Sequence, residues 1–467
     1  MKHHRYPALT IFALAILTLS LLSGARSDLA ENDRKYPKPI PLRMAGLLGN
    51  ESSIYPIPPG EARGASYLPG SNVLRLPGGD LRHLPSGSEE PVTVSPENPG
   101  ARAAAAETRA WLDLGSVPGD TEIERKMAER ALLDLRLLTR PGGATLAAAY
   151  PRWDYVWPRD AAFAAAAFAA TGYHEESYEI LSFLARAQKP DGTWEARYKP
   201  DGSPVLDGRP PQLDATGWFT WAVGFHAATA PDTETTRDLW PAVRKAADAA
   251  AESLGPSGLP PGGADYWEIK TWKPNLGTAA PLRAGLRSAA DTAQRLGHVP
   301  EARRYTAAAD RLEEAIEREF APRGYPRTTR PGSGADAAVN FLAPPFAPPD
   351  PEVAEAVENA GERLTIENGG VVPGERWPQD PSVAWTPQTA LFALSAAAGG
   401  DEEGADRRLD WLADHRTGLG SFPEKVDGPG DPTTVAPLAW TSAIVVLSLA
   451  AGEKSLPVAG RPPAEDG

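Results

Sequence analysis

The stretch YVWPRDAAFAAAAFAAT, residues 155–171, joins a polar loop to a run that is apolar on every side. From Ala161 to Ala170 the chain contains only Ala and Phe, so a helix formed there has no polar face. A helix that is apolar all round is buried inside a protein. The stretch therefore predicts an inner helix whose N-terminal end carries the polar pair Arg159 and Asp160.

The alternation of buried and exposed helices continues along the chain. Residues 444–451 are again apolar all round, whereas residues 301–319 carry a stripe of Arg and Glu, which indicates an outer helix. Helical periodicity from about residue 120 predicts twelve helices. These are residues 121–138, 160–171, 174–188, 212–227, 231–254, 277–296, 299–320, 336–344, 351–365, 385–398, 402–415 and 436–451. Inner and outer helices alternating six times indicate an all-α fold, an (α/α)6 toroid; a less regular helical bundle is the alternative.

Every second connection between these helices is long. The long loops, numbered first to sixth, are residues 139–159, 189–211, 255–276, 321–335, 366–384 and 416–435. Loops of this length inside a compact domain are uncommon unless they are functional. Since they recur with the period of a helix pair, we expect all six at the same end of the toroid.

Composition narrows the class of protein. The chain has 467 residues, 42% of them hydrophobic, with 13 Trp, which suffices for a large core. A formal charge of −14 without any basic run argues against a nucleic-acid partner and favours a neutral or cationic ligand. The absence of Cys excludes disulfides, thiolate nucleophiles and Cys-ligated metals.

The N-terminus has the pattern of an export segment. Lys2 and Arg5 precede an apolar run from Ala8 to Leu22, and small residues follow up to Ala25. This length fits both a cleaved signal peptide and an uncleaved membrane anchor, so residues 1–25 predict a protein that is secreted or held on the outer face of the membrane. No other membrane contact is expected.

The remaining segments are distinguished by composition. Residues 26–61 are charged and rich in Pro, which predicts a spacer, and residues 62–104 contain short β-type runs divided by a Gly turn, which predict a small β-hairpin segment. Residues 105–455 form the predicted helical domain, and residues 456–467 a disordered tail. We expect the protein to be a monomer.

Two loop carboxylates are candidates for acid–base chemistry. Glu268 lies among Tyr266, Trp267 and Trp272, and such an apolar setting favours the protonated carboxyl that a general acid requires. Glu424 lies in a Gly-rich loop beside Lys425, whose ammonium favours the carboxylate that a general base requires. Two carboxyl groups in opposed environments are typical of glycoside hydrolysis. Taken singly, each Glu is more commonly a solvated loop charge, since Glu is mostly exposed in proteins.

Other loop residues fit the recognition of a sugar. Arg159 with Asp160, and Arg376 with Asp380, offer adjacent donors and acceptors for hydroxyl groups, although Arg159 and Asp160 could instead form a structural ion pair at a helix start, with Asp160 capping the helix. Six loop tryptophans provide flat apolar faces on which sugar rings can stack. They are Trp153, Trp157, Trp194, Trp267, Trp272 and Trp377.

Signals for other chemistries are missing from the sequence. There is no zinc-binding His pair at helical spacing, no phosphate-binding Gly-Lys loop and no nucleophile-elbow serine. The repeated Lys-Pro-Asp-Gly at Asp191 and Asp201 could indicate calcium but is more simply two turns. We therefore expect neither a metal ion nor a cofactor.

Residues 120–452 resemble glycoside hydrolase family 15, which contains glucoamylases and glucodextranases. Residues 155–160 (YVWPRD) are similar to the family's Tyr-x-Trp-x-Arg-Asp segment, and residues 212–217 (QLDATG) to a further family segment. Residues 265–268 (DYWE) resemble the motif of the general acid, and residues 422–424 (FPE) that of the general base. Residues 376–380 (RWPQD) resemble the family's Arg-Tyr-Pro-x-Asp substrate-binding segment.

The resemblance implies an (α/α)6 barrel and inverting, exo-acting hydrolysis of α-glucosides. It also implies that Tyr155, Trp157, Arg159, Asp160, Trp267, Arg376 and Asp380 bind the sugar. Three features differ from the family. Lys425 replaces the usual Gln after the base, and Ile269 replaces a second acidic residue after the acid. Only about 80 residues separate the export segment from the helices, which is too few for the large N-terminal β-sandwich of many bacterial members.

The sequence thus predicts an exported glycosidase that acts on an oligosaccharide or α-glucan, with Glu268 as general acid and Glu424 as general base. The alternative is a cell-surface glycan-binding protein on the same toroid that has lost catalysis, which Lys425 and the possible membrane anchor would suit. The linkage, α-1,4, α-1,6 or that of trehalose, depends on loop shape and is left open.

Overall fold

The computed structural model describes residues 40–230 and 233–460. The predicted export segment, residues 26–39 of the predicted spacer and residues 461–467 of the predicted tail lie outside these ranges. Among the described residues, no helix is both long and apolar enough to cross a bilayer.

Two small antiparallel sheets form the N-terminal part of the described chain. β1 (Gly46–Gly49) pairs with β2 (Ile54–Ile57), and four short strands form a second sheet in sequential order. These are β3 (Ser66–Tyr67), β4 (Leu74–Arg75), β5 (Leu81–His83) and β6 (Val92–Val94). The spacer prediction is wrong from residue 40 onward, because Leu47 and Leu48 are fully buried in this layer. The prediction rests on the proline content of this stretch and gives no weight to the apolar residues between the prolines.

Twelve α-helices follow, besides a single helical turn at Pro59–Ala62. They are α1 (Pro99–Leu112), α2 (Glu122–Leu138), α3 (Pro158–Ala170), α4 (His174–Ala187), α5 (Asp214–Thr229), α6 (Glu234–Glu252), α7 (Leu276–Leu296), α8 (Val299–Glu319), α9 (Pro351–Leu364), α10 (Thr386–Gly399), α11 (Glu402–Asp414) and α12 (Ala439–Glu453). A 3₁₀ helix (Ala337–Leu342) lies between α8 and α9.

The inner elements form a closed ring. In order around the ring, α3, α5, α7, the 3₁₀ helix, α10 and α12 each pack against the next, and α12 packs against α3. All residues of α3 are buried, and α12 is buried from Ala439 to Ala450. Because these helices have no polar face, they must be shielded from water by a second layer of helices.

The outer layer consists of amphipathic helices. α2, α4, α6, α8, α9 and α11 each pack against inner elements, and each buries only part of its circumference. In α8, for example, Tyr305, Leu312 and Ile316 face the core, whereas Glu314 is exposed. The two layers confirm the predicted (α/α)6 toroid.

The fourth inner element differs from the prediction. Residues 336–344 were expected to be an α-helix, but only the short 3₁₀ helix is present, with the Asp336 side chain accepting a hydrogen bond from the Ala338 backbone at its start. Pro344 and Pro345 follow directly, and proline cannot supply the N–H groups that would extend a helix. Tertiary packing against α7 and α10 nevertheless holds the element in the inner ring.

The six long loops are joined to one another by backbone contacts. Isolated bridges link the first loop to the second (Val156 with Tyr198), the second to the third (Gln212 with Ala264), the third to the fourth (Asn275 with Thr328) and the fourth to the fifth (Asp336 with Gly374). The fifth and sixth loops share a small sheet of β9 (Ala384–Trp385), β10 (Lys425–Val426) and β11 (Pro432–Thr433), and the Ala439 amide donates to Ala147 of the first loop at 2.8 Å. The long loops therefore form one continuous rim at one end of the toroid.

Candidate active site

Glu268 lies in the third loop with both carboxylate oxygens engaged. Trp157 Nε1 donates to Oε1 at 2.6 Å, and the Arg209 guanidinium forms an ion pair with Oε2. The backbone of Glu268 has a φ of 59°, and its amide donates to the Asp265 carbonyl at 2.7 Å. A left-handed conformation in a residue other than glycine is costly and is often found at functional sites. This turn directs the side chain of Glu268 to the indole of Trp157.

Glu424 lies in the sixth loop, directly before β10. Its Oε1 accepts a hydrogen bond from Trp153 Nε1 at 3.2 Å, and Lys425 Nζ lies 3.7 Å from Oε2. Among the described residues Oε2 is buried and has no hydrogen-bond partner. The Lys425 ammonium also lies 4.0 Å from the ring centroid of Trp385. The predicted contact between Glu424 and Lys425 is therefore present, and one carboxylate oxygen is free to accept a proton.

Arg159 and Asp160 form a buried ion pair in the first turn of α3. The Arg159 Nη2 atom lies 2.8 Å from Asp160 Oδ1, and the guanidinium stacks on Trp440 at 4.2 Å. Burial raises the pKa of the Asp160 carboxyl, Arg159 opposes this shift, and the nearby charge of Glu424 adds to it. The cap position is Trp157 rather than Asp160, so the capping alternative is wrong. The pair lies beside Glu424.

The fourth loop contributes two residues that sequence reasoning missed. Arg327 donates to Asp265 Oδ1 at 2.8 Å and to Asp336 Oδ2 at 3.3 Å, and its guanidinium lies 3.5 Å from the ring centroid of Trp267. The Tyr266 hydroxyl donates to Asp336 at 2.6 Å. Burial raises the pKa of Asp336 to about 6. No motif marks Arg327 or Asp336 in the sequence, because their partners lie in the third loop.

Asp214 is a second missed residue, although it belongs to the family-like run at residues 212–217. It is the first residue of α5, is fully buried, and has no hydrogen-bond partner among the described residues. Burial raises its pKa to about 7; Arg159 acts in the opposite direction and the charge of Asp265 in the same direction. Asp214 is thus close enough to Arg159 and Asp265 for both charges to affect its pKa.

The aromatic residues predicted to bind the sugar have different environments. Trp267 is buried and packs edge-on against Trp377, with 4.7 Å between ring centroids, while Tyr155 packs at a tilt against Trp157 at 6.4 Å. All of these rings lie in the rim around Glu268.

Two loop tryptophans do not behave as predicted platforms near the carboxylates. Trp194 is fully buried, and its Nε1 donates to the Leu184 carbonyl, so it belongs to the core. Trp272 is 87% exposed, and Lys270 lies over its ring. The loop position of a Trp in the sequence did not distinguish packing from exposure.

Arg376 and Asp380 lie in the fifth loop, on either side of Trp377, which packs against Trp267. The Arg376 side chain is exposed, and Asp380 accepts hydrogen bonds from the amide and hydroxyl of Ser382 at 2.9 and 2.7 Å, which closes a local turn. The structure therefore brings together Tyr155, Trp157, Trp267 and Glu268, and separately Arg159, Asp160 and Glu424. Among the described residues, no hydrogen bond or ion pair links Arg376 or Asp380 to either group, and Asp380 closes a turn in its own loop.

The repeated Asp-Gly segments are turns, as the simpler interpretation held. Asp191 accepts from the amide and hydroxyl of Thr193, and Asp201 does the same with Ser203. Gly192 follows with a φ of 83°, as this turn requires.

A separate cavity of about 1190 Å³ opens at the opposite end of the toroid. It is lined by the C-terminal ends of inner helices, including Ala170, Phe225, Thr292 and Ser448. None of Glu268, Glu424 or the residues that contact them lines it. The cavity is therefore distinct from the rim where the carboxylates lie. The candidate site is identified by its carboxylates and their hydrogen-bond partners and not by the size of a cavity.

Residues 123–347 match the model of glycosyl hydrolases family 15. An uncharacterized glycosyl hydrolase of Methanocaldococcus jannaschii is 23% identical over 360 residues, which cover 70% of this chain and 56% of that protein. An isomaltose glucohydrolase of Kribbella flavida is 26% identical over 334 residues, which cover 63% of this chain and 83% of that protein. This chain thus spans little more than half the length of the archaeal relative.

Solved structures show the same fold. A glycosidase in complex with glucose superposes with a TM-score of 0.62 and 21% identity, over 71% of this chain and 97% of that one. A bacterial glucoamylase complexed with acarbose gives a TM-score of 0.61 and 18% identity, over 77% of this chain and 60% of that one. The family match over residues 123–347, the relatives and the toroid agree with the resemblance to glycosyl hydrolases family 15 that the motifs at Asp160 and Glu268 indicate.

Proposed function

We propose that this protein is an inverting, exo-acting α-glucosidase in which Glu268 is the general acid and Glu424 the general base. One observation carries the proposal: two tryptophans of the first loop, four residues apart, each donate to one of the two carboxylates, Trp157 to Glu268 and Trp153 to Glu424. Four residues of chain reach at most about 14 Å between Cα atoms, so one short segment of the first loop contacts both carboxyl groups.

The residues between the two carboxylates support a sugar pocket. Arg159 and Asp160 lie beside Glu424, Asp214 lies beside Arg159, and all three side chains are buried. Buried donors and acceptors of this kind discriminate a hydroxylated ring strongly, because an incorrect ligand leaves them unpaired. We assign them to the terminal glucose.

The proposed reaction is a single displacement. The glycosidic C–O bond breaks, and the leaving oxygen takes its electron pair and the proton of Glu268. A water oxygen bonds to the anomeric carbon from the opposite face, and its proton goes to Glu424. Inverting enzymes hold the two carboxyl groups about 6.5 to 9.5 Å apart to leave room for this water.

The test is glucose release from isomaltose, maltose, trehalose and dextran, with the first anomer formed read by proton NMR. The isomaltose glucohydrolase relative makes isomaltose the first substrate to try. We expect β-glucose to appear first, and Glu268→Gln and Glu424→Gln to lose about 10²- to 10⁴-fold in kcat. Glu314→Gln, on the exposed face of α8, serves as the matched control.

A glycan-binding protein without catalysis is the second candidate. The ion pair of Glu268 with Arg209 favours it, because a carboxylate held by a guanidinium is stabilised in the charged form, which cannot donate a proton. Binding of dextran without glucose release from any of the four substrates would select this candidate. Release of α-glucose first would instead contradict inversion while leaving hydrolysis in place.

A further inference from the structure

The ion pair between Arg209 and Glu268 is the starting point. The second loop supplies Arg209, and its guanidinium contacts the Glu268 oxygen that Trp157 does not hold. A carboxylate held by a guanidinium is stabilised in its charged form, whereas a general acid must carry a proton. If Glu268 is the acid, as proposed above, this ion pair must open before the glycosidic bond breaks.

Arg209 belongs to a cationic cluster. Arg197 pairs with Asp207, Arg209 Nε lies 3.3 Å from the same Asp207 oxygen, and Arg197 also donates to the Arg152 carbonyl at 3.1 Å. Burial lowers the pKa of the Arg209 guanidinium, and the charges of Arg197 and Arg152 lower it further. Like charges close enough to act in this way define one patch.

The charges of this patch do not balance once Glu268 is protonated. Two guanidinium groups, Arg197 and Arg209, then face a single paired carboxylate, Asp207. Ile269, the residue after Glu268, adds no negative charge. A chain with a formal charge of −14 therefore concentrates positive charge at one side of its proposed acid.

This side is the one where the leaving group must lie. The residues assigned to the terminal glucose, Arg159 and Asp214, are buried, whereas Leu206 and Ile269, which flank the patch, are exposed. Glu268 is partly exposed between them. Since the acid protonates the oxygen that joins glucose to the leaving group, the open side with the patch receives the leaving group.

We infer that the leaving-group subsite takes an anionic unit, a sugar or polyol bearing a carboxylate or a phosphate. The anion forms a bidentate contact with the Arg209 guanidinium, which releases Glu268 to carry its proton. This rests on the proposed function. This anionic ligand differs from the neutral or cationic ligand that the overall charge favours, because net charge does not describe a local patch.

The test compares matched disaccharides that share the α-glucosyl group. One has a neutral leaving sugar, one has its reducing-end carbon oxidised to a carboxylate, and one carries a phosphate on the leaving sugar. We expect the wild type to have a kcat/KM about tenfold or more higher for an anionic member than for the neutral one, with the ratio falling as salt rises. The two anionic substrates show which anion the subsite prefers.

Substitution of Arg209 tests the residue itself. Arg209→Gln should reduce the anionic-to-neutral ratio to near one, and Arg209→Lys should retain part of it because the charge remains without the bidentate geometry. Arg318→Gln, an exposed position on α8, should leave the ratio unchanged. A wild-type ratio of one or less, or a ratio that persists in Arg209→Gln, would overturn the inference.

Calorimetry separates this inference from the proposed function. Gluconate and glucose 6-phosphate are titrated into the wild type and Arg209→Gln, with glucose as the neutral reference. The subsite is supported if the wild type binds an anion more tightly than glucose and Arg209→Gln does not. This holds even if no glucoside is hydrolysed. Equal binding of anions and glucose would reject the subsite even if the protein is an active glucosidase.

Discussion

Asp214 is a buried carboxyl group whose protonation state depends on its surroundings in the site. Its carboxyl group is buried at the start of α5 beside Arg159 and Asp265, and its pKa is about 7 instead of the ordinary 3.8. A carboxyl group that stays protonated to near neutral pH can donate a hydrogen bond to a sugar hydroxyl as well as accept one. The raised pKa of Asp214, about 7, is higher than that of Asp336, about 6.

The raised pKa of Asp214 predicts a stability that depends on pH. The folded state binds the proton more tightly than the unfolded state, so this contribution is complete below about pH 4 and is lost as pH rises through about 7. At full effect the free energy of unfolding falls by roughly 1.4 kcal/mol per pH unit inside this window. Asp214→Asn should flatten the decline, because an amide is neutral at every pH.

The measurement is the denaturation midpoint in urea at pH 5, 6, 7 and 8. Asp410→Asn, an exposed position on α11, is the control and should keep the wild-type slope. An Asp214→Asn slope equal to that of the wild type would assign the pH dependence to other groups, with Asp336, whose pKa is also raised, as the next to examine.

Residues that belong to a short motif could be selected from the sequence, whereas residues recognised only by their partners in another loop could not. Glu268, Glu424, Arg159 and Asp160 lie in short motifs with a recognisable order of residue types. Arg327 and Arg209 have partners in another loop, more than 50 positions away in sequence, so no local pattern marks them. Arg376 lies in a matching motif, and its role in sugar binding stays a prediction, since its side chain is exposed.

At the scale of elements, the inner ring depends on helices that approach very closely. Gly217 of α5 and Gly285 of α7 lie at a crossing where a Cβ on Gly217 would be 2.2 Å from the Pro281 carbonyl oxygen. A Cβ on Gly285 would be 2.6 Å from the Gly217 Cα. Both obstacles are backbone atoms, which cannot rotate away. The close approach of the two helices therefore requires glycine at both positions, although the backbone φ angles there would allow other residues.

Gly217→Ala should accordingly destabilise the protein by about 1 to 3 kcal/mol or more, since α5 and α7 must separate to admit the methyl group. Denaturation in urea measures the change. Gly452→Ala in α12 is a matched control, since a Cβ there meets nothing within 4 Å, and it should be neutral or stabilise the helix by about 0.5 to 1 kcal/mol. Equal effects of the two substitutions would show that the crossing can relax.

The accuracy of the helix predictions depends on whether an element has a clear pattern of polar and apolar residues. Long helices with a clear polar face, or with none, were predicted close to their observed bounds, because burial of apolar side chains sets both pattern and position. The fourth inner element was predicted as an α-helix and is a 3₁₀ helix. It is short and has no outer face of its own, so packing against α7 and α10 decides its form and the local pattern does not.

For the whole molecule, the N-terminal β layer and the rim behave as one structure. The Thr434 amide donates to the Ile40 carbonyl at 2.9 Å, and the Ala436 amide donates to the Met44 carbonyl at 3.1 Å. Leu48 of β1 packs in the same apolar cluster as Leu419 of the sixth loop. The layer therefore supports the loop that carries Glu424, which composition alone, with its many prolines, did not indicate.

Leu48→Ala tests this support in the intact protein. Removing a fully buried leucine side chain should cost about 2 to 5 kcal/mol, and the loss should concentrate where the layer meets the sixth loop. We expect a lower denaturation midpoint in one transition, faster hydrogen exchange at the amides of Thr434 and Ala436, and reduced glucose release from isomaltose. Leu114→Ala, at a side chain that is 74% exposed, should change none of these. Two separate unfolding transitions with unchanged exchange at Thr434 would instead mean that the β layer and the rim are independent, and Glu424 would then owe its position to the toroid alone.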